Sequence, residues 1–197
     1  MDHYYTKNPT SKSEERMLEY EINENKYKFI SDNGVFSKEH VDFATDFLLK
    51  TIYNEVKGDV LDVGCGYGVI GIIVSKNKNV KSVTMLDINN RALELTRKNI
   101  NLNKAQNITV IESDGFENIT KNFDTIITNP PIRAGKAVIY KIYEDAKKHL
   151  RENGTLYLVI NKKHGAPSTI NYLNELYRNC VIVDKKSGFH VLKCVNI

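Results

Sequence analysis

The stretch DVLDVGCGYGVIGIIVS, Asp59 to Ser75, decides the fold. Its first part, Asp59–Gly64, is a short apolar run of strand length, and Tyr67–Ser75 has the composition of a buried helix. Between them stand Gly64, Gly66 and Gly68. Glycine is needed where a backbone turns sharply between strand and helix and must let a ligand come close. The spacing is G-x-G-x-G, not the G-x-G-x-x-G that cradles a dinucleotide pyrophosphate. A loop of this kind, preceded by the acidic Asp62, suits a methionine tail and a ribose better than a pyrophosphate.

Outward from this unit the pattern repeats. Strands are read at Ser82–Ile88, Ile108–Ser113, Phe123–Pro131 and Gly154–Ile160, and helices at Asn90–Asn101, Val138–Leu150 and Pro167–Tyr177. Alternation of apolar strands with helices predicts a parallel sheet covered on both faces. Cys180–Lys186 and His190–Ile197 form a closing hairpin around Ser187-Gly188 that brings one reversed strand into the sheet. The expected architecture is α/β: a Rossmann-like, doubly wound, seven-stranded, mostly parallel sheet. Upstream, RMLEYEI and KYKFIS alternate around Asn23-Glu24-Asn25 as a hairpin, Asp32-Asn33-Gly34 is a turn, and Ser37 is the expected N-cap of a helix carrying Val41, Ala44, Phe47, Leu48 and Ile52. Residues 1 to about 16 read as a flexible or loosely docked lead-in. The chain is read as one domain, with 1–36 an extension and 37–197 the catalytic core.

The chain has 197 residues, 41% hydrophobic and 26% charged, enough for a full core without disulfides or metal. Its net charge of +4 leans toward a polyanionic partner. Cys65, Cys180 and Cys194 show no C-x-x-C spacing, so no metal site is expected and a cytoplasmic, reducing setting is the default. No apolar run approaches the roughly 20 residues of a membrane span.

Acidic side chains follow two further strands. Asp87 lies 23 positions after Gly64, where a carboxylate accepts from ribose hydroxyls. The competing role, capping the helix from Asn90, falls to Asn89. Asp114 follows the third strand, placed to accept from an adenine amino group. Asn129-Pro130-Pro131-Ile132 ends the fourth strand, where ligands bind in open α/β sheets. Two prolines stop the ladder and fix the direction of the Asn129 side chain and the Pro130 carbonyl. Both are acceptors, and two acceptors holding the hydrogens of an aryl amine favour a pyramidal nitrogen whose lone pair can attack a methyl group.

From GVFS (Gly34–Ser37), DVGCGYG (Asp62–Gly68), Asp87, FDTIITNPPIRAGK (Phe123–Lys136) and SGFHVLKC (Ser187–Cys194), the sequence resembles class I S-adenosylmethionine-dependent methyltransferases, and within them small relatives of the 16S ribosomal RNA guanine-N2 methyltransferase C family. The resemblance implies S-adenosylmethionine held by Asp62, Gly64, Cys65, Gly66, Gly68, Asp87, Ile88, Asp114 and Asn129. It implies catalysis at Asn129–Ile132, a ribosomal RNA or small-subunit particle as partner, and a monomer or homodimer. Phe36, Arg133, Lys136, Lys162, Lys163 and His164 are the candidate RNA contacts. Ile132 stands where such enzymes often carry an aromatic residue, so base stacking must come from elsewhere or be replaced by aliphatic packing. The competing readings are adenine-N6 or protein-glutamine methylation, and a non-catalytic, cofactor-binding RNA assembly factor.

Overall fold

The computed structural model describes residues 7–197; residues 1–6, the first part of the expected lead-in, lie outside the described residues. Strands β1 (Arg16–Ile22) and β2 (Asn25–Ser31) form the expected hairpin. Then follow α1 (Phe43–Ile52), β3 (Gly58–Val63), α2 (Val69–Val74), β4 (Val80–Asp87), α3 (Asn90–Leu102), β5 (Ile108–Glu112) and β6 (Phe123–Thr128). The chain ends with α4 (Lys136–His149), β7 (Leu150–Asn161), α5 (Ala166–Tyr177), β8 (Cys180–Lys186) and β9 (Phe189–Val195). The main sheet has seven strands in the order β5-β4-β3-β6-β7-β9-β8, with β9 antiparallel to both its neighbours.

Each face of the sheet carries its own apolar layer, because side chains alternate along buried strands. On β7, Tyr157 and Val159 join the layer under α1, α2, α3 and the hairpin, whereas Leu156, Leu158 and Ile160 join the layer under α4 and α5. The hairpin is tied to α3 as well: Asn99 accepts from Ile30 N and donates to Ile30 O, and Asn103 does the same for Lys28.

Four local expectations need correction. The first helix does not start after Ser37, and Val41 is not in it. Ser37 takes a φ of 57°, and Asp42 caps α1 instead, accepting from Ala44 N and Thr45 N. Helix α2 starts at Val69, later than expected, because Gly68 at φ 98° is its N-cap. Strand β7 begins at Leu150, which pairs with Phe123 before residues 151–154 bulge out and pairing resumes at Thr155. Residues 7–15 are not loose. Arg91 donates to Pro9 O and Ser11 Oγ, Asn90 N donates to Lys7 O, and Ser13 donates to the buried Asp32.

Candidate active site

Strand order and register place the motifs side by side. The order reverses at β3, whose neighbours β4 and β6 lie on opposite sides; such a switch point opens a crevice at the C-terminal strand ends. Val63 pairs with both Leu86 and Thr128, so Gly64, Asp87 and Asn129 leave the sheet at one level. Asp87 pairs in turn with Glu112, which puts Asp114 just beyond the same edge.

The glycine loop meets the requirements of a ligand cradle. Gly64 and Gly66 have φ of 72° and 56°, and a Cβ at either would meet nothing within 4 Å, so both present bare backbone to open space. Gly68 has a different task. A Cβ there would lie 3.0 Å from Met85 Cε and 3.1 Å from Ile72 Cδ1, so this glycine lets α2 pack against β4.

Two carboxylates brace the loop from behind. Asp87 Oδ2 accepts from Gly66 N at 2.8 Å and Oδ1 from Asn89 N at 2.9 Å. The Ile88 amide adds a third backbone hydrogen bond, and a carboxylate with about four lone-pair sites still has room for a ligand hydroxyl. Burial raises the Asp87 carboxyl above its ordinary range, against the pull of these amides. Asp62 is fully buried: Oδ2 accepts from Gly71 N at 2.9 Å, and Oδ1 has no hydrogen-bond partner among the described residues. Burial pushes this carboxyl up to about 7, with the nearby Asp87 adding to the rise. Cys65 sits between glycines with Sγ 3.9 Å from Thr96 Oγ1, and burial raises its thiol well above the usual range. A thiol of that kind is a filler, not a nucleophile.

These residues open onto a cleft of about 1500 Å³. Gly64, Cys65, Gly66, Asp87, Ile88 and Asp114 line it, as do Asn129, Pro130, Pro131 and Ile132. Of the expected RNA contacts, Phe36, Arg133 and His164 line it too. Asp62 and Gly68 do not; they shape the loop from the protein side. Lys136, Lys162 and Lys163 lie outside the cleft as well, Lys136 with its ammonium 5.0 Å from the centre of the Tyr140 ring.

Asn129 is held by a residue that the sequence does not single out. Its Nδ2 donates to Thr45 Oγ1 at 3.0 Å, across 84 positions of chain. Thr45 is buried in the first turn of α1, and its own N–H is fixed by the Asp42 cap. With the amide nitrogen engaged in this way, Asn129 Oδ1 is the atom left to accept.

A family model described as the methyltransferase small domain matches residues 26–193. The chain belongs to the methyltransferase small domain family. It is 40% identical to the uncharacterized protein YbxB of Bacillus subtilis (strain 168), over 100% of this chain and 99% of that protein. It is 43% identical to a ribosomal RNA small subunit methyltransferase C of Haemophilus influenzae (strain PittGG), over 65% of this chain and 40% of that protein. Among solved structures, a T. thermophilus 16S rRNA N2 methyltransferase in complex with AdoMet and guanosine aligns at a TM-score of 0.82 and 26% identity, covering 96% of this chain and 52% of that one. The chain thus spans about two-fifths to one-half of the length of these ribosomal RNA methyltransferases. The enzyme class and cofactor expected from the sequence hold: this is a methyltransferase that uses S-adenosylmethionine.

The features of this methyltransferase fit that cofactor. S-adenosylmethionine is a sulfonium and an ammonium cation with a ribose diol. The loop offers bare backbone at Gly64 and Gly66, a carboxylate with spare lone pairs at Asp87, and no lysine or arginine ion-paired to either carboxylate among the described residues. Two further parts of the cleft wall were not anticipated. Pro9, Thr10 and Ser11 line the cleft, brought there by Arg91. Phe189, at the start of β9, lines it as well and packs on Phe43 at 5.4 Å between ring centres. The placement of Phe189 in the cleft wall depends on β9 running back alongside β7, which no local pattern reports. Among the described residues no helix is long and apolar enough to cross a membrane, and no cluster of His, Cys, Asp or Glu is arranged to hold a metal ion.

Proposed function

We propose that this enzyme transfers a methyl group to an exocyclic amine of an RNA base, and that the base is guanine in ribosomal RNA, methylated at N2. In this reading residues 1–197 work as one methyltransferase domain. The observation that carries it is the Asn129–Thr45 hydrogen bond at the mouth of the glycine loop. Thr45 takes up the amide nitrogen of Asn129, and the freed oxygen accepts from one hydrogen of the substrate amine. The Pro130 carbonyl accepts from the other. Held so, the amine points its lone pair at one position, and the grip tightens as its hydrogens become more acidic during transfer. S-adenosylmethionine, when bound, supplies an electrophilic methyl on a sulfonium. Gly64, Gly66, Asp87, Ile88 and Asp114 are the residues that would hold it, with Asp62 bracing them. No strong base is required, because the nitrogen becomes acidic once methylated and sheds its proton to water.

An RNA substrate is supported by the names of the relatives, by the open cleft, and by its aromatic wall. Phe36, 45% exposed, and Phe189 offer the stacking surface that Ile132 does not. The test is a single-turnover assay with saturating cofactor and an unmodified small-subunit RNA transcript. Asn129→Ala is expected to slow methyl transfer by roughly 10²–10³-fold, the range for removing one preorganised hydrogen-bonding group, while cofactor affinity stays unchanged. Asn129→Asp retains an acceptor and is expected to fall between. Equal rates for all three proteins would overturn the proposed grip.

A further inference from the structure

Beyond the cleft, the sheet's reversed edge carries a concentration of positive charge. Lys162 and Lys163 form the turn that follows β7, and Lys185 and Lys186 end β8. Chain order does not bring these pairs together, but the β8–β9 hairpin does. Lys162 N donates to Gly188 O at 2.7 Å, which pins the turn after β7 against the hairpin tip. Lys186 pairs with Phe189 across the hairpin, and Phe189 pairs with Asn161, the residue before Lys162. All four lysines are exposed, and none forms an ion pair with a described residue.

The convergence is felt by a neighbour. His190 follows Phe189 and pairs with Lys185; its imidazole pKa is lowered by burial, then by Lys185 and Lys162. Cations from separate elements thus act on one ring, and the carboxylate beside them, Asp184, is turned to the backbone N–H of Lys185 at 2.7 Å. Of the other 24 lysines and arginines, ten are ion-paired to described residues, as in Lys141 and Lys148 on Asp145, or Arg151 on Asp59 and Asp124. The ridge also adjoins the cleft. His164 and Phe189 line the cleft, and each is within three residues of a ridge lysine.

We infer that Lys162, Lys163, Lys185 and Lys186 form the docking ridge for the phosphate backbone of the RNA, on the strands flanking the base that enters the cleft. This rests on the RNA reading above and adds where the backbone lies. A ridge of lysines without ion pairs releases counterions on meeting consecutive phosphates, so its contribution is sequence-independent and falls with salt. Phe189 marks the inner edge, where backbone contact gives way to base contact.

The test measures RNA affinity and methyl transfer for Lys185→Ala/Lys186→Ala across a salt series, with the small-subunit RNA transcript as probe. Lys78→Ala/Lys81→Ala, at the opposite end of the strands, is the charge-matched control. The ridge variant is expected to bind RNA about 10-fold more weakly at moderate salt and to lower the slope of log affinity against log salt by about 1.4, the value for two phosphate contacts on single-stranded RNA. Its cofactor affinity, measured by calorimetry, and its single-turnover rate at saturating RNA should match the wild type. An unchanged slope, or an equal change in the control, would overturn the ridge while leaving RNA methylation standing. Failure of the wild-type protein to bind or methylate RNA at all would overturn the functional reading itself, and the ridge with it.

Discussion

Asp87 accepts backbone hydrogen bonds from Gly66, Asn89 and Ile88 before any ligand is considered. It therefore sets the loop's shape and offers the ligand an acceptor at the same time. Asp87→Ala is expected to weaken S-adenosylmethionine binding by about 1.5–3 kcal/mol, the range for hydrogen bonds to a charged group, and calorimetry would read this directly. Asp87→Asn keeps one acceptor and should lose less; undiminished affinity in the alanine variant would remove Asp87 from the site. Asp62 leads to a pH prediction. Its carboxyl is moved by burial from an ordinary 3.8 to about 7. Between these values the folded protein holds a proton that the unfolded chain has released, so this group's stabilising contribution is present below about pH 4 and is lost as pH rises through 7. Asp62→Asn removes that dependence. The variant's melting temperature, relative to wild type, should rise between pH 5 and pH 8 in the absence of cofactor, reflecting up to a few kcal/mol. Parallel melting curves across that range would contradict the buried, proton-holding carboxyl.

At the scale of elements, helix α1 contributes to the site through Thr45. Thr45→Val is nearly the same size but offers Asn129 no oxygen. It is expected to slow methyl transfer by about 10- to 100-fold, as small misplacements of a reacting group do, with unchanged cofactor affinity and unchanged RNA affinity. Thr45→Ser should restore most of the rate, because the hydroxyl returns. A rate loss shared by valine and serine would mean packing, not the hydrogen bond, is what matters. This contact marks the limit of what the sequence shows. The parallel strands were legible because burial on both faces leaves near-continuous apolar runs, and Gly64, Asp87 and Asn129 were legible because each ends such a run. Ser37 and Asp42 both have the chemistry of a cap, and only the left-handed backbone at Ser37 decides for Asp42. Thr45 reads as an ordinary helix residue until the fold sets it against a residue 84 positions away. Phe189 and the lysines of the β8–β9 hairpin are silent for the same reason: their neighbours come from non-consecutive strands.

Taken as a whole molecule, the sheet delivers three strand ends to one level, and the reversed strand β9 folds its hairpin back beside them. The glycine loop, Asn129 and the lysines of the β8–β9 hairpin thus share the C-terminal edge of the sheet, with the strap at residues 7–15 closing onto α3. The net charge of +4 is modest, so where the positive charge lies matters more than its total. The central claim, methyl transfer to an exocyclic amine of guanine, is tested most directly by product identity. The enzyme would be incubated with methyl-labelled S-adenosylmethionine and unmodified small-subunit RNA, and the RNA digested to nucleosides. Label is expected in N2-methylguanosine, lost with Asn129→Ala. Label in N6-methyladenosine, or unlabelled RNA from a protein that binds the cofactor well, would contradict it.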